Sequence, residues 1–161
     1  KRDIIEKLAN VLEVSPSYLM CLDESKNASQ GFQPIPNMKK IPRVGRIACG
    51  TPILAEENVE EYDSVPEYWK ADFTLICVGD SMAPKIQSGD LVAIRQQETV
   101  ENGQVAAVLI DNEATLKRVY IYPDKLILRP ENPEYEPIVI LNGESTTIRI
   151  EGRAVGFCRG L

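Results

Sequence analysis

The amino-acid sequence predicts a mainly β protein, with a domain of short strands and hairpins over residues 41–161 that follows a short α-helical stretch and a flexible linker. The first observation is a series of short apolar runs, bounded by turn residues, that begins at Ile41 and continues to the C-terminus. The second is a set of apolar residues at helix spacing before residue 23. The third is a shift to polar residues, glycine and proline between these two parts.

The N-terminal stretch, residues 1–23, predicts two short helices. Apolar residues recur every three or four positions, which favours an amphipathic helix over Asp3–Glu13. Ser15 and Pro16 then supply an N-cap and a proline suited to the first helical position. A second helix is therefore expected over Pro16–Leu22.

Residues 24–40 are expected to form an interdomain linker, because their polar residues, glycine and prolines cannot bury enough surface to fold alone. Beyond it, apolar runs between turn residues predict strands at Pro42–Ile47, Phe73–Val78, Asp90–Arg95, Gln104–Ile110, Glu113–Tyr120, Lys125–Arg129, Pro137–Ile140, Thr146–Ile150 and Arg153–Cys158. Asp111-Asn112 is expected to be a tight hairpin turn. Residues Ala55–Ala71 lack a clear period and are expected to be irregular.

Composition and charge exclude several classes of function. Because the chain contains no histidine, neither a Ser-His-Asp triad nor a histidine-ligated metal site is possible. The net charge of −6 at pH 7 indicates that the residues present do not form a nucleic-acid-binding surface. No long apolar stretch and no signal peptide are found, so a soluble, cytoplasmic protein that does not enter a membrane is expected.

The sequence predicts neither a metal nor a cofactor. Its cysteines are scattered without a C-x-x-C pair and are expected to be reduced thiols, at Cys21, Cys49, Cys77 and Cys158. The acidic cluster between Glu56 and Asp63 lacks the alternating ligands and central glycine of a calcium loop, so it is expected to be a solvated face.

The segment Val78-Gly79-Asp80-Ser81-Met82-Ala83-Pro84 places a serine where a strand ends. The apolar run Phe73–Val78 predicts a buried strand that stops at Gly79, and Pro84 suits the start of a tight helical turn. A serine held there, beside outward-pointing backbone N–H groups, suits a nucleophile next to an oxyanion site. The alternative is an ordinary capping serine, so a nearby base is needed to decide for Ser81.

Without histidine, the base expected near neutral pH is a lysine whose pKa is lowered by burial. The strand Glu113–Tyr120 offers one, since alternation puts Thr115, Lys117 and Val119 on the same face. If this face is buried, Lys117 points toward the interior. The alternative is that Lys117 and Arg118 are charges on an edge strand that discourage aggregation.

A third segment, Arg43–Ala55, carries the small residues Ala48-Cys49-Gly50-Thr51 between apolar runs, followed by a strand-breaking proline. Together, Cys49-Gly50, Gly-Asp-Ser81-Met-x-Pro and Thr-Leu-Lys117-Arg resemble the self-cleaving repressors of the LexA and phage CI type. The resemblance covers residue 41 to the C-terminus, and the three motifs occur in the family's order.

This resemblance implies a LexA-like C-terminal β domain that contains a serine-lysine dyad, Ser81 and Lys117, and no metal. The dyad would cut the chain's own Cys49-Gly50 bond, with Ala48 and Thr51 as neighbours in the cleavage loop. The family usually has alanine where this chain has Cys49.

The N-terminal stretch resembles the last two helices of the helix-turn-helix domains of phage-type repressors, whose recognition helix is expected upstream of residue 1. The resemblance thus implies a repressor that binds operator DNA through its N-terminal domain and forms a homodimer through its C-terminal domain. It also implies that a RecA-type filament stimulates self-cleavage. Two alternatives remain open: a signal-peptidase-like Ser-Lys peptidase acting in trans, and a repressor whose C-terminal domain only dimerises.

Overall fold

A computed structural model describes residues 36–45, 54, 56–111 and 113–160. The two predicted helices, most of the predicted linker and the predicted cleavage segment 48–51 lie outside these residues. The described part is built on one β sheet, so the prediction of a mainly β fold is confirmed. Among the described residues, no helix combines the length and hydrophobicity that a membrane span requires.

The strands of the described residues are Met38–Val44 (β1), Val59–Pro66 (β2), Phe73–Ile76 (β3), Leu91–Gln96 (β4), Val105–Ile110 (β5), Glu113–Ile121 (β6), Lys125–Arg129 (β7), Ile138–Leu141 (β8) and Ile148–Cys158 (β9). Their order across the sheet is β2-β1-β3-β4-β9-β5-β6-β7-β8. Neighbouring strands are antiparallel except for β1 and β3, which are parallel. Two short 3₁₀ helices, Glu56–Asn58 and Glu67–Trp69, flank β2.

The six strands predicted between Phe73 and Ile140 are confirmed to within two residues at each end. The tight hairpin between β5 and β6 is also confirmed, because Ile110 pairs with Glu113 and leaves two residues for the turn. Strand β1 differs from its prediction, since it begins at Met38, inside the predicted linker, and ends at Val44.

Strand β2 shows that the prediction of an irregular segment over Ala55–Ala71 was wrong. Its inward positions are Asp63 and Val65, which are 9 % and 1 % exposed, whereas Glu61 and Tyr62 face solvent. A strand whose buried positions include a carboxylate lacks the apolar alternation by which strands are recognised. The pairing of β2 with β1 therefore could not be read from local sequence.

The buried Asp63 is stabilised by partners on two other strands. Arg43 on β1 forms a bidentate ion pair with its carboxylate, and Thr74 on β3 donates a hydrogen bond of 2.6 Å to Oδ2. Burial acts to raise the pKa of Asp63, but the hydrogen bonds from Arg43 and Thr74 outweigh it and the pKa lies below its usual value. The prediction that the acidic cluster faces solvent is thus confirmed for Glu56 and Glu61, which are exposed, and is wrong for Asp63, which is buried.

Strand β9 runs without interruption where two strands were predicted on either side of Gly152. The register with β5 shifts next to this glycine, whereas the register with β4 shifts further along, between Ala154 and Gly156. A Cβ atom at Gly152 would lie 2.3 Å from the carbonyl oxygen of Arg95 and 2.6 Å from Cγ2 of Ile94. The glycine therefore marks a bulge where β4 approaches closely, and the strand continues through it.

The apolar core packs against both sides of β5, because successive side chains on a strand point to opposite faces. Ala106 and Val108 belong to one cluster, together with Val100, Val119 and Leu128. Ala107 belongs to another, whose buried members also include Phe73, Leu75, Met82, Ile86 and Leu116. Since Met82 and Ile86 are 1 % and 4 % exposed, the segment that carries Ser81 is anchored to the sheet.

We expect Gly152→Ala to lower the free energy of unfolding by about 1–3 kcal/mol, because an added methyl group must displace the β4 backbone. The control is Gly160→Ala, since a Cβ at Gly160 meets no atom within 4 Å. Urea unfolding of both variants and the parent measures the difference. Equal stability of the two variants would contradict this account of the bulge.

Candidate active site

The serine of the site lies on a turn that follows β3. Gly79 has φ = +85°, a conformation that L side chains rarely adopt, and it redirects the chain at the end of the strand. A helical turn follows, closed by a hydrogen bond of 2.9 Å from the Ile86 N–H to the Met82 carbonyl. The structure thus places Ser81, half-buried, at the strand end where the sequence predicts it.

The lysine of the site lies on β6, which is paired on both sides by β5 and β7. Lys117 is 8 % exposed, and its cross-strand partner on β5, Ala106, is fully buried. Its Nζ lies 3.0 Å from Ser81 Oγ and donates hydrogen bonds to Thr115 Oγ1 at 2.7 Å and to the Leu116 carbonyl at 3.0 Å. The lysine therefore points inward and meets the serine, and β6 is not an edge strand.

The environment of Lys117 favours its neutral amine. Burial lowers the pKa of Lys117 because the charged form loses hydration, and a negative charge on nearby Cys77 would act in the opposite direction. Burial is the larger effect, so the net pKa lies below that of an ordinary lysine. Near neutral pH a larger fraction of this amine can accept a proton than of an exposed one.

A thiol also lines the site, although no role there was predicted for it. Cys77 is 6 % exposed and lines the same cleft as Ser81. Burial raises the pKa of Cys77, and the negative charge of Asp90 raises it further. The thiol is therefore kept protonated and is a poor nucleophile. The only signal in the sequence was the closeness of Cys77 to Ser81.

Ser81 opens onto a cleft of about 350 Å³, lined by Val44, Gly45, Glu60, Leu75, Ile76, Cys77, Val78, Ser81, Met82, Ala114, Thr115 and Leu116. Val44 and Gly45 come directly before residues 46–53, which the structure does not describe. The predicted cleavage residues Ala48, Cys49, Gly50 and Thr51 are among these. Four residues span at most about 14 Å, so Cys49 is within reach of the cleft that Gly45 lines.

Neither cysteine of the described residues is paired: Cys77 and Cys158 are free thiols. Cys21 and Cys49 lie outside the described residues. Within the part of the chain that the structure covers, no group of three or more potential ligands is arranged to hold a metal ion.

A hydroxyl beside a buried amine, at the wall of an open cleft, is an arrangement that hydrolytic proteins use for nucleophilic attack. The chain belongs to the peptidase S24-like family, whose model matches residues 42–155. The predicted resemblance to self-cleaving repressors of the LexA type is thereby confirmed.

Several curated proteins named LexA repressor are similar to this chain. The protein of Erwinia tasmaniensis is 43 % identical over 123 residues, which cover 74 % of this chain and 60 % of that protein. The protein of Syntrophomonas wolfei is 38 % identical over 123 residues, covering 74 % and 58 %. That of Hahella chejuensis is 42 % identical over 123 residues, covering 74 % and 61 %. The chain thus spans about three fifths of the length of these relatives.

We expect the stability of the protein to depend on pH through Lys117. Because folding lowers the pKa of this amine below the ordinary value of about 10.4, the unfolded chain binds more protons between the two values, and stability rises with pH across that range. Lys117→Met lacks this effect. The variant should therefore gain stability relative to the parent at pH 7, by about 1.4 kcal/mol for each unit of lowering, and the gain should shrink toward pH 10.5.

Urea unfolding between pH 7 and 10.5 measures this difference, with Ser81→Ala present in all chains so that backbone cutting cannot interfere. The control is Lys85→Met, which removes one positive charge from a lysine that is exposed to solvent. A difference for Lys117→Met that is constant or grows with pH would rule out the lowered pKa.

Proposed function

We propose that this chain is part of a transcriptional repressor that inactivates itself by cutting its own backbone between Cys49 and Gly50. The observation that carries the proposal is the distance of 3.0 Å between Ser81 Oγ and the buried Nζ of Lys117. Membership of the peptidase S24-like family and similarity to proteins named LexA repressor support it. Ser81 is the nucleophile in this proposal and Lys117 is its base.

The first step forms an ester between the serine and the chain. The neutral amine of Lys117 accepts the proton of the Ser81 hydroxyl while Oγ attacks the carbonyl carbon of Cys49. The electron pair of that carbonyl moves onto its oxygen, where backbone N–H groups of the Ser81 turn stabilise the charge. The C–N bond to Gly50 then breaks, and the Gly50 nitrogen takes the proton from the Lys117 ammonium.

The second step releases the serine. A water molecule gives a proton to Lys117 and attacks the ester carbonyl of Cys49, and the proton then passes to Ser81 Oγ as the ester bond breaks. One fragment now ends in a carboxylate at Cys49 and the other begins at Gly50. Because the substrate is part of the same chain, each molecule is expected to react once.

Thr115 and Leu116 have a supporting role in both steps. Lys117 becomes an ammonium for a short time, in a site where water is scarce. The hydroxyl of Thr115 and the carbonyl of Leu116 accept hydrogen bonds from Nζ and stabilise the charge during that time. They also hold the amine in one direction, so that its free electron pair can face Ser81.

The remaining parts of the proposal rest on the relatives. Operator DNA would be bound through an N-terminal helix-turn-helix domain whose last helices are predicted within residues 1–23. The β domain would form the homodimer. A RecA-type filament would trigger cutting by favouring the state in which the segment around Cys49 fills the cleft and excludes water from Lys117. The protein would act in the cytoplasm.

We expect the purified chain, incubated at alkaline pH, to give two fragments that meet at Cys49 and Gly50. Ser81→Ala and Lys117→Arg should each lower the rate at least about 100-fold, since one lacks the nucleophile and a guanidinium does not give up its proton. Mass spectrometry identifies the ends, and circular dichroism checks that both variants remain folded. Cutting that persists in either variant would contradict the dyad, and a rate that rises with protein concentration would indicate a peptidase acting in trans.

We expect the first-order rate of self-cleavage to rise with pH and then level off. Only the neutral amine can act as a base, so the rate follows the deprotonated fraction of Lys117. Because burial lowers its pKa, the midpoint should lie below the ordinary value of about 10.4. Rates measured between pH 7 and 11 test this, with Lys85→Met as a control that should keep the parent's profile. A flat or falling profile would exclude a lysine base.

A further inference from the structure

The loop that follows β7 holds the backbone of the Ser81 turn. Its Asn132 donates a hydrogen bond of 3.0 Å from the backbone N–H to the Ser81 carbonyl, and one of 3.1 Å from Nδ2 to the Asp80 carbonyl. These two carbonyls belong to the two peptide units on either side of the Ser81 Cα. A residue 51 positions away in the chain therefore fixes the backbone on which the serine hydroxyl is carried.

The side chain of Asn132 is itself held in one orientation. Its Oδ1 accepts a hydrogen bond of 3.0 Å from the Glu134 N–H, and its carbonyl accepts one of 3.1 Å from the Tyr135 N–H. With Oδ1 occupied in this way, Nδ2 is the group that faces Asp80. Asn132 is half-buried as a residue, while its side-chain hydrogen bonds lie at the surface.

The same loop is tied to the strand that carries the lysine. Glu131, the neighbour of Asn132, forms an ion pair with Arg118, the neighbour of Lys117. Arg118 also donates a hydrogen bond to the Gly103 carbonyl, which fixes its guanidinium. The loop therefore links β6 to the Ser81 turn, through Arg118 next to Lys117 on one side and through the backbone of Asp80 and Ser81 on the other.

The far end of the Ser81 turn is held by a different contact. Arg159 forms a bidentate ion pair with Asp90, which is 1 % exposed, and Asp90 accepts a hydrogen bond of 2.8 Å from the Gln87 N–H. Arg159 thus restrains the end of the turn near β4. At the end that carries the hydroxyl, the described contacts to the backbone of Asp80 and Ser81 from outside the turn come from Asn132.

We propose that Asn132 is a positioning residue for self-cleavage, which sets the position of Ser81 Oγ relative to Lys117 Nζ. The inference rests on the proposed function. A misplacement of about 1 Å can lower a rate about 100-fold, and the serine lies on a turn and not on a strand of the sheet. Lys117 is restrained by its strand in the sheet. For Ser81, the hydrogen bonds of Asn132 supply part of the corresponding restraint.

The chain contains a matched control for this residue. Asn142 donates a hydrogen bond from its backbone N–H to the Asp124 carbonyl at 3.0 Å and one from Nδ2 to the Pro123 carbonyl at 2.6 Å. It therefore holds two successive carbonyls in the same way as Asn132, but on the turn between β6 and β7. Asn142 contacts neither Ser81 nor Lys117 among the described contacts.

The test compares Asn132→Ala and Asn142→Ala in the full 161-residue chain. We expect Asn132→Ala to lower the plateau of the self-cleavage rate about 10- to 100-fold without moving the midpoint of the pH profile, because the burial of Lys117 is unchanged. Asn142→Ala should keep the parent's plateau. Thermal unfolding of both variants measures the structural cost of losing each side chain. A plateau for Asn132→Ala within twofold of the parent, or an equal fall in both variants, would overturn the proposal.

A second measurement separates this inference from the proposed cleavage. A small fluorophosphonate reacts with an activated serine: Oγ forms a bond to phosphorus and fluoride leaves. This labelling does not depend on which backbone bond, if any, the protein cuts. If the parent is labelled at Ser81 but is not cut at Cys49, the proposed function fails, and a 10- to 100-fold slower labelling of Asn132→Ala alone would still support positioning. Equal labelling rates of the parent and of Asn132→Ala would overturn the positioning role of Asn132. A parent that is neither cut nor labelled would overturn both.

Discussion

The structure of the site depends on an amine that is kept out of water within hydrogen-bonding distance of a hydroxyl. Burying Lys117 is unfavourable by itself, so the surrounding structure has to supply both the exclusion of water and replacement partners. The sheet contributes to the first, because Lys117 lies on β6 opposite the fully buried Ala106 of β5. Thr115, Leu116 and Ser81 supply the second. The position of the lysine is thus determined by the sheet, and that of the serine by a turn packed onto it.

Burial in the cleft has opposite effects on the reactivity of two ionisable groups, the Lys117 amine and the Cys77 thiol. Removal from water favours the neutral form of each group, so the pKa of Lys117 falls and that of Cys77 rises. A neutral amine is a competent base, whereas a neutral thiol is a weak nucleophile. In the proposed mechanism, burial therefore makes Lys117 a better base for Ser81, while it keeps the Cys77 thiol in the same cleft protonated. In a well-hydrated site this cause of both pKa shifts would be absent.

Much of the site could be predicted from local sequence, because strand alternation and strand ends are local properties. Alternation on β6 put Lys117 on the same face as Val119, which the structure shows to be buried, and Gly79 indicated where the chain turns to present Ser81. The features that were missed depend on partners far away in the chain. Strand β2 was missed because one of its two buried positions is the carboxylate Asp63, whose partners are on other strands. Asn132 was missed because it acts through hydrogen bonds to a turn 51 positions earlier.

Strand β1 lies before Cys49 in the chain, yet it belongs to the sheet. Its seven residues pair with β2, from Met38 opposite Pro66 to Val44 opposite Val59, and it lies between β2 and β3. A cut after Cys49 would break the covalent chain but none of these hydrogen bonds. The two halves of a nicked molecule would then stay joined until β1 is extracted from the sheet. The lifetime of the nicked complex would be set by local opening of the sheet, and not by the chemistry of the cut.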